Sequence, residues 1–287
     1  MRNTMKRLYL SSALILISAS LSAEIISFNF TGGRSTTSYA LGSSDLAGLV
    51  GTEAGHSLGS TLVGNWNNLD GNSGSSGGSL LGSNGNVAVG VTVTWNADNT
   101  YDLPNTIGGS NTSANTTMMK GYLDNDSENT TTVTVSGLEA LSGSYSVIVY
   151  VDGDNEEFWQ RGNYTIGTTT VQNEDSENVD FNSGSGNNAN GLFQTPVADG
   201  TGGSNWPVSP NNSEGNMIIF SGLTSSSFTL NADPVSSGTT FDRAPVNGMQ
   251  IVGVVIPESA SGSLVAIFLG LALFMWTAKS RFGKRGH

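Results

Sequence analysis

Short segments in which hydrophobic and polar residues alternate recur along the central part of the chain. The clearest are residues 25–30 (IISFNF) and 87–95 (VAVGVTVTW). Because successive side chains of a strand point to opposite faces of a sheet, this alternation predicts strands with one buried face. Hydrophobic residues keep a 3.6-residue period for no more than a turn or two, so helices should be scarce. Other segments of the same kind, with a weaker one at 61–66, raise the expected total to roughly nine to eleven strands: 131–135, 145–151, 163–171, 217–220, 227–230 and 248–256.

One local pattern occurs twice. Residues 132–138 (TVTVSGL) lead through a short loop into 145–150 (YSVIVY), and 217–223 (MIIFSGL) lead into 227–230 (SFTL). Each unit is a strand, Ser-Gly-Leu, a polar turn and a second strand, which predicts a hairpin whose glycine allows the bend. Two such hairpins in a chain of many strands favour an all-β fold, an antiparallel β-sandwich of the jelly-roll type.

Two segments rich in Gly, Ser and Asn interrupt this pattern. Residues 71–85 and 183–203 have low complexity and few hydrophobic positions. Such composition is typical of long flexible segments, so both are expected to be surface loops of one domain, with a linker between two domains as the alternative.

The beginning of the chain has the three parts of a secretory signal peptide. Cations lie within residues 2–7, and an apolar stretch at 8–19 is too short to be a good membrane span. A small residue, Ala23, then offers a cleavage site before Glu24. The sequence therefore predicts a signal peptide over 1–23 and export through the Sec machinery, with an uncleaved anchor as the alternative.

The end of the chain combines a short motif, an apolar segment and a cationic tail. Pro257 and Glu258 are followed by an uncharged segment, 260–278, of about 20 residues, which just covers a bilayer core. The basic residues of 279–287 follow at once. The positive-inside rule keeps this tail in the cytoplasm and turns the body of the protein outward.

This order resembles the PEP-CTERM sorting signal of proteins exported by biofilm-forming Gram-negative bacteria. The resemblance implies cleavage near Pro257 and Glu258 by an exosortase, a membrane-embedded cysteine peptidase, so that 260–278 is a transient helical anchor in the inner membrane. Ser259 stands where the family usually has proline. A permanent C-terminal anchor is the alternative. The expected organisation is a signal peptide (1–23), a β-sandwich ectodomain (24–256) and a sorting signal (257–287).

Charge is distributed unevenly along the chain. The segment 24–256 has 22 of the 23 acidic residues and only four of the 11 cations, a formal charge of −18. A surface without a basic patch excludes nucleic acid as a partner, because binding it depends on cations that displace counterions from phosphate. Cysteine is absent, which excludes disulfides and thiolate metal sites. This composition suits a domain that faces an external medium.

An acidic run after a predicted strand is the candidate metal site. Asp152, Asp154 and Glu156 resemble the first ligands of a Ca²⁺ loop. An EF-hand is excluded because Glu157 occupies the position of its invariant glycine. A different Ca²⁺ site of a β-sandwich and a solvated acidic turn are the two remaining interpretations, and no other cofactor is expected.

Tryptophans are the candidates for stacking on sugars. Trp159 lies in the acidic loop, and Trp66 precedes Asn67, Asn68 and a Gly-rich segment, so these three residues could line a rim. Packing is the alternative role of both tryptophans. The strongest predicted strand contains Trp95, which should belong to the core.

Nothing in the sequence marks a catalytic site. His56 is the one histidine of segment 24–256, and it does not lie in a nucleophile motif. The leading hypothesis is therefore a non-enzymatic protein of the cell surface or extracellular matrix. A carbohydrate-binding module for polysaccharide, with or without Ca²⁺, is the main alternative, since the body is similar in pattern to galactose-binding-like modules, and a glycan-acting enzyme is the third.

Overall fold

A computed structural model describes one compact unit, Ala23–Val255, apart from several internal segments. The first and last segments of the chain, 1–22 and 256–287, lie outside the described residues, and so do the predicted signal peptide, apart from Ala23, and the sorting signal. In the part of the chain that the structure covers, no helix has the length and apolar character needed to cross a membrane. The described residues are 23–32, 39–50, 58–102, 113–125, 129–153, 161–174, 193, 197–198, 213–235 and 242–255.

The described residues are mostly in strands. One short α-helix, α1 (Ala114–Met118), and one 3₁₀ helix (Leu138–Ala140) are the helical elements among them. The strands are β1 (Ala23–Phe30), β2 (Asn67–Leu69), β3 (Ser73–Ser75), β4 (Thr92–Asn96), β5 (Asn99–Asp102), β6 (Gly121–Asp124), β7 (Thr131–Ser136), β8 (Leu141–Tyr150), β9 (Arg161–Ile166), β10 (Thr169–Glu174), β11 (Val197–Ala198), β12 (Ser213–Glu214), β13 (Met217–Leu223), β14 (Ser227–Pro234) and β15 (Gly248–Val255).

Two large sheets form the body of the protein. One has five strands in the order β13-β8-β15-β1-β2, and the other has eight in the order β11-β12-β10-β9-β14-β7-β4-β3. A third sheet consists of β5 and β6. Neighbouring strands are antiparallel, except that β2 runs parallel to β1 and β12 parallel to β10. The prediction of an all-β fold with little helix is confirmed.

The main hydrophobic core lies between the two large sheets. Phe28 of β1 and Val147 of β8 enter it from the five-stranded sheet, and Val133 of β7 and Leu230 of β14 enter it from the other. All four are fully buried. Burying a side chain of this kind stabilises the fold by about 1.5–3 kcal/mol, so the inward-facing residues of each alternating strand stabilise the sandwich. Trp95 lies in this core, as predicted.

The five-stranded sheet is covered on its other face as well. Ile148 and Tyr150 of β8 and Met217 of β13 point away from the main core into a second hydrophobic cluster. Leu49 from a loop and Met118 from α1 belong to the same cluster. The five-stranded sheet is therefore a middle layer, which explains why its strands have hydrophobic residues on both faces.

The two Ser-Gly-Leu units do not form hairpins. β7 lies in the eight-stranded sheet and β8 in the five-stranded one, while β13 and β14 are divided in the opposite sense. Each unit thus carries the chain across the core. The two crossings contact each other where the amide of Leu138 donates to the carbonyl of Ser226 at 2.9 Å. The predicted pairing of 131–135 with 145–151 is wrong, because alternation marks a buried face but does not tell which strand is the neighbour.

Two predicted strands are shorter than expected because a glycine interrupts them. Within 87–95, Gly90 has a φ of +83°, and β4 begins only at Thr92. Val89 is 82% exposed, so the valines before the glycine do not mark a buried face. Segment 163–171 divides in the same way, because Gly167, with a φ of +62°, makes the turn between β9 and β10.

The Gly-rich segment 71–85 is not only a loop. It contains β3, which pairs with β4 at the edge of the eight-stranded sheet. Gly74 of this strand lies so close to the indole of Trp95 that a β-carbon there would overlap the ring. A low-complexity composition therefore includes a position where the absence of a side chain permits close packing. Segment 183–203 lies outside the described residues except for three positions.

Candidate functional site

An open groove lies between β2, at the edge of the five-stranded sheet, and β3, at the edge of the eight-stranded sheet. Its volume is about 470 Å³. Neither edge strand has a further strand beside it among the described residues, so the seam of the sandwich is open here. The groove is lined by Trp66, Asn67, Asn68, Leu69, Asp70, Ser75, Ser76, Ser79, Leu80, Leu81 and Trp95.

Two tryptophans present hydrocarbon to the groove. The indole N–H of Trp95 donates to the carbonyl of Gly71 at 3.0 Å, and that of Trp66 donates to the carbonyl of Val63 at 3.0 Å. Each indole also contacts another ring, Trp95 that of Phe30 and Trp66 that of Tyr150, with centroids 6.3 and 6.1 Å apart. Both N–H groups are occupied, and the two residues are only 5% and 7% exposed, so packing is their main role and each offers the groove only a narrow carbon edge.

Asn67 and Asn68 hold two loops against β2. The side-chain carbonyl of Asn67 accepts from the amide of Leu81 at 2.8 Å, and its amide donates to the carbonyl of Leu81 at 2.9 Å. Asn68 makes the same reciprocal pair with Leu41, at 2.9 Å in both directions. Each side chain imitates a backbone partner in a sheet, so the walls of the groove are attached to the sandwich. Trp66, Asn67 and Asn68 all line the groove, and their part in binding a ligand stays a prediction.

The rim of the groove is polar and carries no positive charge. Asn68, Asp70, Ser75 and Ser79 are exposed along it. The Oδ1 atom of Asp70 accepts from the hydroxyl of Thr31 at 3.2 Å, and this orients the carboxylate. Within the described ranges, the lining contains neither Lys, Arg nor His. Such a surface offers hydroxyl, amide and carboxylate groups to a ligand, without a partner for an anion.

Of the three predicted calcium ligands, the structure describes only the first, Asp152. Asp152 follows β8 and is buried, and its backbone amide donates to the Oδ1 atom of Asn247 at 2.7 Å. Asp154 and Glu156 lie outside the described residues, as does Trp159. Across the described ranges, no three acidic or histidine side chains are grouped so that they could hold a metal ion. The calcium site and the role of Trp159 stay predictions.

A buried polar network lies beneath the loop that carries Thr61. Gln250 of β15 accepts from the hydroxyl of Tyr150 at 2.6 Å and from that of Thr61 at 2.8 Å. Its amide donates to the hydroxyl of Ser27 at 3.1 Å and to the carbonyl of Thr61 at 2.9 Å. Burial raises the pKa of Tyr150 far above its ordinary value, so this phenol stays protonated and donates to Gln250.

Sequence reasoning did not single out Asp70, Ser75 or Ser79. They belong to the Gly-rich segment, where polar composition hides which side chains face a groove. The one usable signal was the position of Trp66 and the two asparagines immediately before that segment. Comparison of the chain with protein-family models, curated proteins and solved structures gave no match.

Proposed function

We propose that the protein is an exported protein of the cell surface or extracellular matrix that an exosortase sorts through its C-terminal tail. The observation that carries the proposal is the order of Pro257-Glu258, an apolar segment and a basic end, opposite an N-terminal signal peptide. It is supported by the bounds of the compact unit, Ala23–Val255, which agree with the segment between those two signals. The strongly acidic composition of that segment suits an external polymer layer.

Two steps of processing follow from this proposal and have separate tests. The mass of the mature protein in culture reports both cleavage sites. Replacing Pro257 and Glu258 with alanine should leave the full-length chain in the membrane fraction, whereas replacing Ser259 with proline, the residue usual in the family, should preserve or increase processing. An unchanged mature mass in the alanine variant would contradict exosortase sorting and favour a permanent anchor.

A carbohydrate-binding function is the second candidate, and the groove favours it. Exposed asparagine, aspartate and serine side chains can bond to sugar hydroxyls, and the edges of two largely buried tryptophans add a narrow apolar contact for the C–H face of the ring. A glycan-array screen of the protein tests this function. Failure of every glycan to bind at millimolar concentration would leave the structural role in the matrix.

We also propose that the β-sandwich has the jelly-roll topology. The first and last large strands, β1 and β15, are neighbours in the middle of one sheet, and the chain crosses between the sheets at both Ser-Gly-Leu units. Both features support an arrangement in which distant parts of the chain are interleaved. An experimental structure whose strand order lacks this interleaving would refute it.

A further inference from the structure

We infer that the groove between β2 and β3 binds neutral saccharides in preference to acidic ones. This inference rests on the carbohydrate-binding function proposed above and adds the chemical class of the ligand. Three properties of the groove lead to it: its apolar floor, its polar rim and its sign of charge.

The floor offers a sugar ring a narrow apolar contact. Trp66, Trp95 and Leu80 line it but are only 5%, 7% and 3% exposed, so they present carbon edges and no open ring face. The N–H groups of both indoles are already bonded to backbone carbonyls. Because the hydrogen bonds of both indoles are satisfied, a ligand gains there by burying hydrocarbon and not by hydrogen bonding. The volume of about 470 Å³ lies in the range of small-molecule pockets and accommodates a short stretch of a glycan.

The rim fits sugar hydroxyls. Ser75 on the edge strand and Ser79 on the following loop expose hydroxyls. That of Ser75 accepts from the amide of Gly77 at 3.5 Å and can still donate to a ligand, and that of Ser79 donates to the carbonyl of Ser76 at 3.3 Å and can still accept. On the opposite wall, Asp70 has one oxygen bonded to the hydroxyl of Thr31 and to the amide of Gly71, and its carboxylate has a second oxygen for a ligand. A hydrogen bond from a sugar hydroxyl to a carboxylate is stronger than one between neutral groups.

Charge decides between neutral and acidic ligands. Among the residues that the structure describes, the lining has one carboxylate, Asp70, and no cationic side chain, and segment 24–256 has a formal charge of −18. A uronic acid in the groove would place its carboxylate near that of Asp70 with no cation to compensate. Two such charges about 4 Å apart in water repel by about 1 kcal/mol, which corresponds to about a fivefold loss of affinity at low salt.

Affinity electrophoresis and calorimetry of the full chain test the inference. The chain is kept in a detergent without a sugar headgroup, because a maltoside would itself compete for the groove. The probes are a neutral glucan and a neutral galactan against polygalacturonate and alginate, all at low ionic strength. We expect the protein to bind at least one neutral polymer and to bind the acidic polymers at least about fivefold more weakly.

Two variants locate the binding and assign its charge selectivity. Ser75→Tyr places a large side chain at the groove and should weaken neutral binding about tenfold or more, while Thr169→Tyr, also an exposed strand position of the same sheet, should leave it unchanged. Asp70→Asn retains the oxygen that accepts from Thr31 and removes the charge. It should weaken neutral binding, because an amide accepts a weaker hydrogen bond from a sugar hydroxyl than a carboxylate does, and it should narrow the ratio of neutral to acidic affinity about fivefold.

The outcomes separate this inference from the functions on which it is built. If neither neutral polymer binds, the inference is wrong; the carbohydrate-binding function is wrong as well only if the glycan array also yields no ligand, and export and sorting are unaffected in both cases. Neutral binding that Ser75→Tyr leaves intact would refute the groove as the site. Equal binding of acidic and neutral polymers by the unaltered protein would refute the selectivity, and so would an Asp70→Asn variant with unchanged discrimination.

Discussion

Replacing Gln250 with methionine tests whether the buried polar network stabilises the loop-covered face of the five-stranded sheet. Methionine has a similar length and fills the same space, but it cannot make the four hydrogen bonds of the glutamine. Gln250 is fully buried, and its partners are Tyr150, Thr61 and Ser27. The variant therefore removes hydrogen bonds without creating a large cavity.

The magnitude follows from the groups left without a partner. The hydroxyls of Thr61 and Ser27 can rotate, and that of Thr61 also accepts from the amide of Leu49 at 3.1 Å. The phenol of Tyr150 and the carbonyl of Thr61 are left buried without the bonds that Gln250 made. Each unsatisfied buried group costs about 1–3 kcal/mol. We expect a loss of about 3–5 kcal/mol, which is a large share of the usual total stability of about 5–15 kcal/mol.

Urea and thermal unfolding followed by circular dichroism measure this loss. For a domain of this size, about 3–5 kcal/mol lowers the melting temperature by about 6–20 °C. Gln172→Met on β10 is the matched control, because Gln172 is only half-buried and donates to Asn163 at 3.3 Å; its cost should stay below about 1 kcal/mol. If Gln250→Met and Gln172→Met destabilise the protein equally, the network does not contribute as its geometry indicates.

Two further predictions concern one glycine and one tyrosine. Gly137→Ala should destabilise the protein by well over the roughly 1–2 kcal/mol that an alanine in the left-handed conformation costs, because its β-carbon would also overlap the backbone of Gly90. Gly222→Ala is the control: this glycine of the second Ser-Gly-Leu unit has a similar φ and open space around it, so the same denaturation assay should show only the roughly 1–2 kcal/mol of the backbone conformation. Equal losses in the two variants would refute the packing explanation. Burial raises the pKa of Tyr150 in the folded state, so the unfolded chain loses this proton first as the pH rises, and the free energy of unfolding should fall above about pH 10. Tyr150→Phe should make that fall less steep, and an unaltered slope would mean that this phenol is not responsible.

Sequence reasoning was strongest where a physical rule acts on neighbouring residues. Alternation located most of the large strands, including β1, β7 and β15, since successive side chains of a strand must face opposite sides. It failed at Gly90 and Gly167, where a positive φ ends the strand although the residues on both sides alternate. It also gave the wrong neighbours for 131–135 and 145–151, because alternation carries no information on pairing.

The sequence predicted only some of the residues that line the candidate site. Trp66 and the two asparagines after it drew attention as a rim, but sequence does not distinguish a side chain that bonds to a ligand from one that bonds to backbone. Asn67 and Asn68 make reciprocal pairs with Leu81 and Leu41, which lie 14 and 27 residues away. Such partners become neighbours only when the strands are assembled.

The amino-acid sequence alone establishes the all-β character of the body, its strong negative charge, and the two terminal segments on which export and sorting are proposed. These depend on composition and on local periodicity. The tertiary structure alone decided that the Ser-Gly-Leu units cross between sheets and that β2 and β3 border an open groove. The physical reason is that both features arise from packing two sheets over one core, where the contacts join residues far apart in the chain.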